Sequence, residues 1–89
     1  MQSTDLAIHN KLGLHARPAA SFVQLAQSFA CELVLVKADK RANAKSILSI
    51  MTLDIRQHDR VTLEANGADE GAAIAALTAL AGSNFGDAE

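Results

Sequence analysis

The 89-residue chain contains no tryptophan or tyrosine, only three phenylalanines, and a single cysteine and proline. Sites that bind single-stranded nucleic acids usually combine aromatic side chains that stack on bases with a basic groove. This sequence offers few aromatic side chains, and its formal net charge is −2. The composition therefore argues against a general nucleic-acid-binding surface.

The sequence also lacks a long hydrophobic run, since no apolar stretch approaches the roughly 18 residues of a membrane span. The first five residues show no basic segment followed by an apolar one, so no signal peptide is predicted. The lone Cys31 excludes an internal disulfide and is typical of a reducing compartment. We therefore expect a cytoplasmic protein without membrane insertion, in which Cys31 packs as a small hydrophobic residue.

The length and the hydrophobic periodicity predict a single domain over residues 1–89. Strands are expected over residues 5–9, 32–37, 41–44 and 60–65, and helices over 16–30, 46–53 and 69–82. Asp69 is the expected N-cap of the last helix, and residues 83–89 are expected to form a mobile acidic tail. This order predicts an α+β sandwich of the ferredoxin-like type, with an antiparallel sheet and helices on one side.

The residues with most chemical potential lie in Gly13-Leu14-His15-Ala16-Arg17-Pro18-Ala19-Ala20. Pro18 suits the first turn of a helix, although a residue that precedes proline disfavours helical backbone, which makes Arg17 a candidate for an extended conformation. A helix N-terminus attracts anions, a neutral imidazole is a nucleophile toward phosphorus, and a guanidinium binds phosphoryl oxygens. The stretch predicts phosphoryl chemistry on His15 assisted by Arg17. The alternative is that His15 is only a loop or capping histidine.

A second segment, residues 46–53, combines a good N-cap, Ser46, with more large apolar residues than one helix face can bury. Some of them are expected to stay exposed and to serve a partner. The remaining histidines, His9 and His58, are expected in exposed positions without the local spacing of a metal site. No metal site is therefore predicted.

Three motifs resemble the family of histidine-containing phosphocarrier proteins (HPr) of the bacterial phosphotransferase system. They are residues 13–19, residues 45–53 (Lys-Ser-Ile-Leu-Ser-Ile-Met-Thr-Leu) and residues 66–70 (Asn-Gly-Ala-Asp-Glu), and the resemblance extends over essentially the whole chain. It implies an open-faced βαββαβα sandwich with a four-stranded antiparallel sheet and three helices on one face. It further implies that His15 accepts a phosphoryl group on Nδ1 from enzyme I, which phosphoenolpyruvate charges, and donates it to a histidine of an enzyme IIA. Arg17 would assist transfer, and no metal or organic cofactor is implied.

In part of the family the serine that matches Ser46 is phosphorylated by an ATP-dependent kinase, so HPr kinase/phosphorylase is a candidate partner. The alternative is that Ser46 only caps a helix, and Ser49 stands where family members often have glycine. The expected partner-binding residues are Ala16, Ala20, Gln24, Ile47, Leu48 and Met51. We expect a monomer that acts as a covalent intermediate in transfer rather than as an enzyme that turns over alone.

Two other functions compete with sugar-linked phosphoryl transfer. The first is a nitrogen-related regulatory phosphocarrier whose phosphorylation state signals to partners, because the Ser-Asn-Phe-Gly-Asp ending at residues 83–87 resembles that branch. The second is a ligand-binding regulatory domain of ferredoxin-like shape, for which the sequence marks no pocket. The sequence leaves open which enzyme IIA or sugar is served and whether a Ser46 kinase exists.

Overall fold

Four strands and three helices alternate in the computed structural model, which describes residues 1–86. The strands are β1 (Gln2–Ala7), β2 (Glu32–Lys37), β3 (Lys40–Asn43) and β4 (Arg60–Asn66), and the helices are α1 (Ala16–Ala26), α2 (Ile47–Met51) and α3 (Glu70–Gly82). The strands form one antiparallel sheet in the order β1-β4-β2-β3. This architecture confirms the predicted α+β fold with an antiparallel sheet.

The central strand β4 shows why one face of the sheet is covered. Val61, Leu63 and Ala65 are buried in the core beneath the helices. The residues of β4 between these three, Thr62 and Glu64, point to the open face. There Thr62 Oγ1 donates to Asp5 Oδ1 at 3.0 Å, and Arg41 pairs with Glu64 at 2.7 Å. Period-two alternation gives an antiparallel sheet one apolar and one polar face, as expected from the sequence.

The first helix is shorter than predicted, because α1 ends at Ala26 rather than at Ala30. Two short backbone bonds replace the helical pattern, from Ser28 N to Leu25 O at 3.0 Å and from Phe29 N to Ala26 O at 3.2 Å. The Ser28 hydroxyl also donates to Leu25 O at 2.6 Å. These local bonds turn the chain away from the helix axis and toward β2.

Asp69 lies at the N-cap position of α3, but its side chain makes no capping hydrogen bond, which corrects the predicted role. Its carboxylate instead accepts from the backbone N–H groups of Ala30 and Cys31 at 2.8 and 2.9 Å. These bonds to the charged form lower the pKa of Asp69. Cys31 is buried as predicted, and its burial raises the pKa of the thiol. Asp69 therefore fastens the beginning of β2.

The predicted mobile tail is wrong for residues 83–86. A 3₁₀ turn at Asn84–Gly86 places Phe85 in the core, 2% exposed, with its ring edge-on to Phe22 at a centroid distance of 6.0 Å. The carbonyl of Asn84 accepts from Asn10 Nδ2 at 2.9 Å. Residues 87–89 of the predicted tail lie outside the described residues. Within this polar segment, the aromatic side chain of Phe85 was the sequence feature that indicated burial.

Candidate functional site

His15 is the N-cap residue of α1, with extended backbone angles (φ −79°, ψ −171°). Its carbonyl accepts the first helical bond, from Ala19 N at 3.0 Å, while its side chain makes no capping hydrogen bond. The side chain is half-buried. The imidazole therefore lies at the positive end of the helix dipole, as the sequence predicted.

Arg17 lies within the first turn of α1, so the suggested extended conformation is wrong. Pro18 is the third helical residue, where no intrahelical hydrogen bond is lost, and it packs in the interior. This buried packing outweighs the conformational bias that proline imposes on the residue before it. The helix start consequently presents Ala16 and Arg17 at the surface while Ala19 is buried.

The loop that leads into His15 is packed tightly against the chain after α2. Gly13 has a φ of +67°, and a Cβ built there would lie 2.2 Å from the carbonyl oxygen of Ile55. Only glycine fits this approach. Leu14 N then donates to the same Ile55 oxygen at 3.0 Å. The residue directly before His15 is therefore fixed to a second segment of the backbone.

The short helix α2 has the predicted N-cap, because Ser46 Oγ accepts from Ser49 N at 3.3 Å. Ile50 is buried, whereas Ile47, Leu48 and Met51 are 40%, 82% and 42% exposed. The expectation that some apolar side chains of this segment stay exposed is confirmed.

Helix α2 packs against α1. Two side-chain bonds join their ends, from Gln27 Nε2 to Lys45 O at 3.1 Å and from Lys45 Nζ to Phe29 O at 2.6 Å. Among the predicted partner-binding residues of α1, Ala16 and Gln24 are exposed and Ala20 is half-buried. We call the six residues Ala16, Ala20, Gln24, Ile47, Leu48 and Met51 the candidate docking surface. It spans both helices.

Sequence reasoning missed the group that supports the loop of residues 54–59. Lys37 Nζ donates to Asp54 O at 2.6 Å and pairs with Asp59 Oδ2 at 2.9 Å. Asp59 Oδ2 also accepts from Arg56 N at 2.8 Å. The Lys37 ammonium and the Arg56 N–H lower the pKa of Asp59. The only sequence signal was a polar loop, since Lys37 and Asp59 lie 22 positions apart.

Two further histidines lie on the surface of the protein. His9 and His58 are exposed, and residues 1–86 contain no group of three or more histidine, cysteine or acidic side chains suited to hold a metal. A surface cavity of about 460 Å³ lies between the start of β2 and the end of β3, lined by residues 30–34, 41–43 and 45. His15 does not line it. None of the helices in residues 1–86 is long and apolar enough to cross a membrane.

The fold and the position of His15 define a small open-faced α+β sandwich with a histidine at a helix N-terminus. The family model for the HPr component phosphorylation site of the phosphotransferase system matches residues 2–83. Phosphocarrier protein HPr of Neisseria meningitidis is 43% identical over 89 residues, which is 100% of both chains. Phosphocarrier protein NPr of Shewanella violacea is 39% identical over 84 residues, 94% of this chain and 92% of that protein.

Among solved structures, HPr-C-His from Thermoanaerobacter tengcongensis is similar over 100% of both chains, with a TM-score of 0.95 and 47% identity. The chain belongs to the HPr family of phosphocarriers of the phosphotransferase system. The predicted family resemblance and the open-faced sandwich are thus confirmed.

Proposed function

We propose that His15 accepts a phosphoryl group from phosphorylated enzyme I in the cytoplasm and donates it to a histidine of an enzyme IIA. The observation that carries this proposal is the position of His15 as the N-cap residue of α1, half-buried and followed in the first turn by Arg17. Membership of a phosphocarrier family supports the same role.

The transfer needs a nucleophile and a place for negative charge. A lone pair on a neutral imidazole nitrogen of His15 attacks phosphorus, a phosphorus–nitrogen bond forms, and the bond to the donor atom breaks with its electron pair on the donor. The bound phosphoryl group carries roughly two negative charges near neutral pH. The helix dipole favours such a charge by about 0.3–2 kcal/mol. Arg17 supplies a permanently charged fork for the phosphoryl oxygens. In donation, a nitrogen of the enzyme IIA histidine attacks the phosphorus, a new phosphorus–nitrogen bond forms, and the bond to His15 breaks with its electron pair on the imidazole of His15.

The candidate docking surface is proposed to receive both enzyme I and enzyme IIA. Three large apolar side chains exposed on one five-residue helix support this assignment, since exposed apolar patches commonly mark interaction sites. A carrier must release each partner quickly, so weak and transient docking is expected. Met51→Asp should slow phosphoryl transfer from enzyme I without changing the thermal unfolding midpoint by more than a few degrees. Unchanged transfer would argue against this surface.

Ser46 is proposed as a regulatory phosphorylation site, with HPr kinase/phosphorylase as the partner. Its hydroxyl lies at the beginning of α2, one residue before the exposed Ile47. A phosphate there would add negative charge beside the docking surface and weaken docking. Incubation with ATP and the kinase should label the wild type and not Ser46→Ala. A labelled Ser46→Ala protein, or no label on the wild type, would leave Ser46 as an N-cap only.

A second candidate is a nitrogen-related regulatory phosphocarrier, and the 39% identity with an NPr protein favours considering it. The two functions share the His15 chemistry and differ in the acceptor. Phosphorylated protein offered a sugar-specific and a nitrogen-related enzyme IIA together should lose its label faster to the true partner. Preference for the nitrogen-related acceptor would select the second function.

The proposal for His15 is tested with enzyme I and labelled phosphoenolpyruvate. Wild-type protein should acquire acid-labile, base-stable label, and His15→Ala should acquire none. The matched controls are His9→Ala and His58→Ala, because each removes an exposed histidine side chain and keeps the backbone groups of that residue. Label that persists in His15→Ala, or that disappears in either control, would contradict the assignment.

A further inference from the structure

The loop of residues 54–59 is strained and held by a few specific contacts. Asp54 and His58 have positive φ angles of 50° and 72°, a backbone region that costs non-glycine residues energy. Such conformations persist only when the surroundings enforce them. Lys37, the last residue of β2, contacts Asp54 O and the Asp59 carboxylate, and that carboxylate closes the loop onto Arg56 N. One ammonium and one carboxylate thus hold the loop against the sheet.

The same loop supports the beginning of the segment of residues 8–15, which we call the His15 segment. His58 N donates to Ile8 O at 2.7 Å, and Ile8 N donates to Asp59 O at 3.0 Å. Gln57 Nε2 adds a bond to His9 O at 3.3 Å. The chain that leaves β1 is therefore hydrogen-bonded to residues 57–59 of the loop.

The loop also supports the end of that segment. Ile55 O accepts from Leu14 N, and Gly13 packs on the same carbonyl so closely that a methyl group would not fit. His15 is the next residue along the chain. Its backbone position therefore depends on the position of Ile55.

We propose that Lys37 and Asp59 are positioning residues for phosphoryl transfer at His15, acting through Ile55 and Leu14. The proposal rests on His15 being the phosphoryl acceptor. Phosphoryl transfer requires the attacking nitrogen to lie in line with the breaking bond, and small displacements from that geometry are costly. The docking surface lies on α1 and α2, so loss of the Lys37 contacts should lower kcat and leave KM unchanged.

The chain offers a matched control for this test. Lys37→Met removes the ammonium that pairs with Asp59 at 2.9 Å, and Arg41→Met removes the guanidinium that pairs with Glu64 at 2.7 Å. The second ion pair joins β3 to β4 on the open face of the sheet. In enzyme I-dependent phosphorylation, kcat should fall about 3- to 10-fold in Lys37→Met with KM unchanged. The kcat of Arg41→Met should equal that of the wild type. Lys37→Arg, which keeps a positive charge, should retain most of the wild-type kcat.

A second measurement follows the supporting bond in the unphosphorylated protein. Hydrogen exchange of the Leu14 amide should accelerate about 3- to 10-fold in Lys37→Met and in Asp59→Asn, but not in Arg41→Met. The positioning role is overturned if a folded Lys37→Met protein keeps the wild-type kcat and the wild-type exchange rate of the Leu14 amide. It is also overturned if kcat falls as much in Arg41→Met as in Lys37→Met. A wild type that enzyme I never labels would instead overturn the proposed function. Leu14 exchange then still decides whether Lys37 controls the His15 segment.

Discussion

The two ends of β2 are each fastened by an aspartate, but the two aspartates hold different parts of the molecule. At the beginning of the strand, Asp69 accepts from two backbone N–H groups, those of Ala30 and Cys31. At the other end, Asp59 accepts from one backbone N–H group and from the Lys37 ammonium. Only the second aspartate belongs to a loop that contacts the segment carrying His15. An aspartate that binds backbone N–H groups thus fastens the sheet at one end, and at the other it holds the loop that is proposed to position His15.

Backbone strain follows the same division. The non-glycine residues with positive φ among residues 1–86 are Ala38, Asp54, His58, Asn84 and Phe85. Ala38 follows Lys37, two lie in the 54–59 loop, and Asn84 is bonded to Asn10 in the loop before His15. The Asp69 end contains only a glycine, Gly67, in this region of backbone space. Two of these five residues therefore lie in the loop that is proposed to position His15, and strain of this kind is common at functional sites.

The largest effect should come from adding a methyl group to Gly13, which packs on the 54–59 loop, or to Gly67, which packs on Cys31. A Cβ at Gly13 would lie 2.2 Å from Ile55 O, and one at Gly67 would lie 2.7 Å from the Cβ of Cys31. Both Gly13→Ala and Gly67→Ala should lower the free energy of unfolding, measured with urea, by about 2–4 kcal/mol. Gly13→Ala alone should also lower kcat about 10-fold, because the Leu14–Ile55 bond must shift.

Gly13→Ala and Gly67→Ala add the same methyl group and should lower the free energy of unfolding by a similar amount. They therefore differ mainly in which end of β2 is disturbed. They should be assayed at a temperature where both remain folded, as judged by circular dichroism. A similar loss of kcat in Gly67→Ala would show that transfer responds to general stability rather than to the end of the sandwich that is disturbed.

The sequence predicted the features that depend on neighbouring residues. Alternation in β4 and the Ser46 cap both depend on groups a few positions apart, and both are confirmed. The role of Asp69 could not be predicted in this way, since its acceptor bonds reach 38 and 39 positions along the chain. A local capping pattern competed with that distant partner, and the distant partner prevailed.

The candidate site divides in the same manner. His15 and Arg17 were evident because a histidine, an arginine and a proline are adjacent at a helix start. The proposed positioning role of Lys37 and the burial of Phe85 were not evident, because each depends on contacts that only the folded chain brings close. Phe85 in particular is surrounded by polar residues in sequence and by the core in space.

An intermediate effect is expected from pH. Hydrogen bonds lower the folded-state pKa of both Asp69 and Asp59 below the unfolded value, which is about 3.9. The stabilisation from each is therefore present above the unfolded pKa and is lost as pH falls through the folded pKa. The unfolding midpoint of Asp69→Asn should lie below that of the wild type at pH 7, and the difference should shrink below about pH 4.

The corresponding variant at the other end, Asp59→Asn, should show the same pH trend with a smaller stability change. Its carboxamide oxygen can still accept from Arg56 N, whereas one amide oxygen must replace two carboxylate oxygens at Ala30 and Cys31 in Asp69→Asn. The order should reverse for kcat, which only Asp59→Asn should lower. A pH-independent difference for Asp69→Asn would mean that its carboxylate charge does not stabilise the fold.

The smallest effect should come from relieving strain in the 54–59 loop. His58 has a φ of 72° and an exposed side chain, so His58→Gly removes an unfavourable Cβ without removing a buried contact. Relief of left-handed strain is worth about 1–2 kcal/mol, and the added freedom of glycine in the unfolded chain offsets about 0.5–1 kcal/mol of it. Denaturant unfolding should therefore show a gain of about 0.5–1 kcal/mol. If the 54–59 loop positions His15 through its contacts rather than through the strain itself, kcat should stay at the wild-type value. A more stable variant with a lower kcat would show that the strain contributes to transfer.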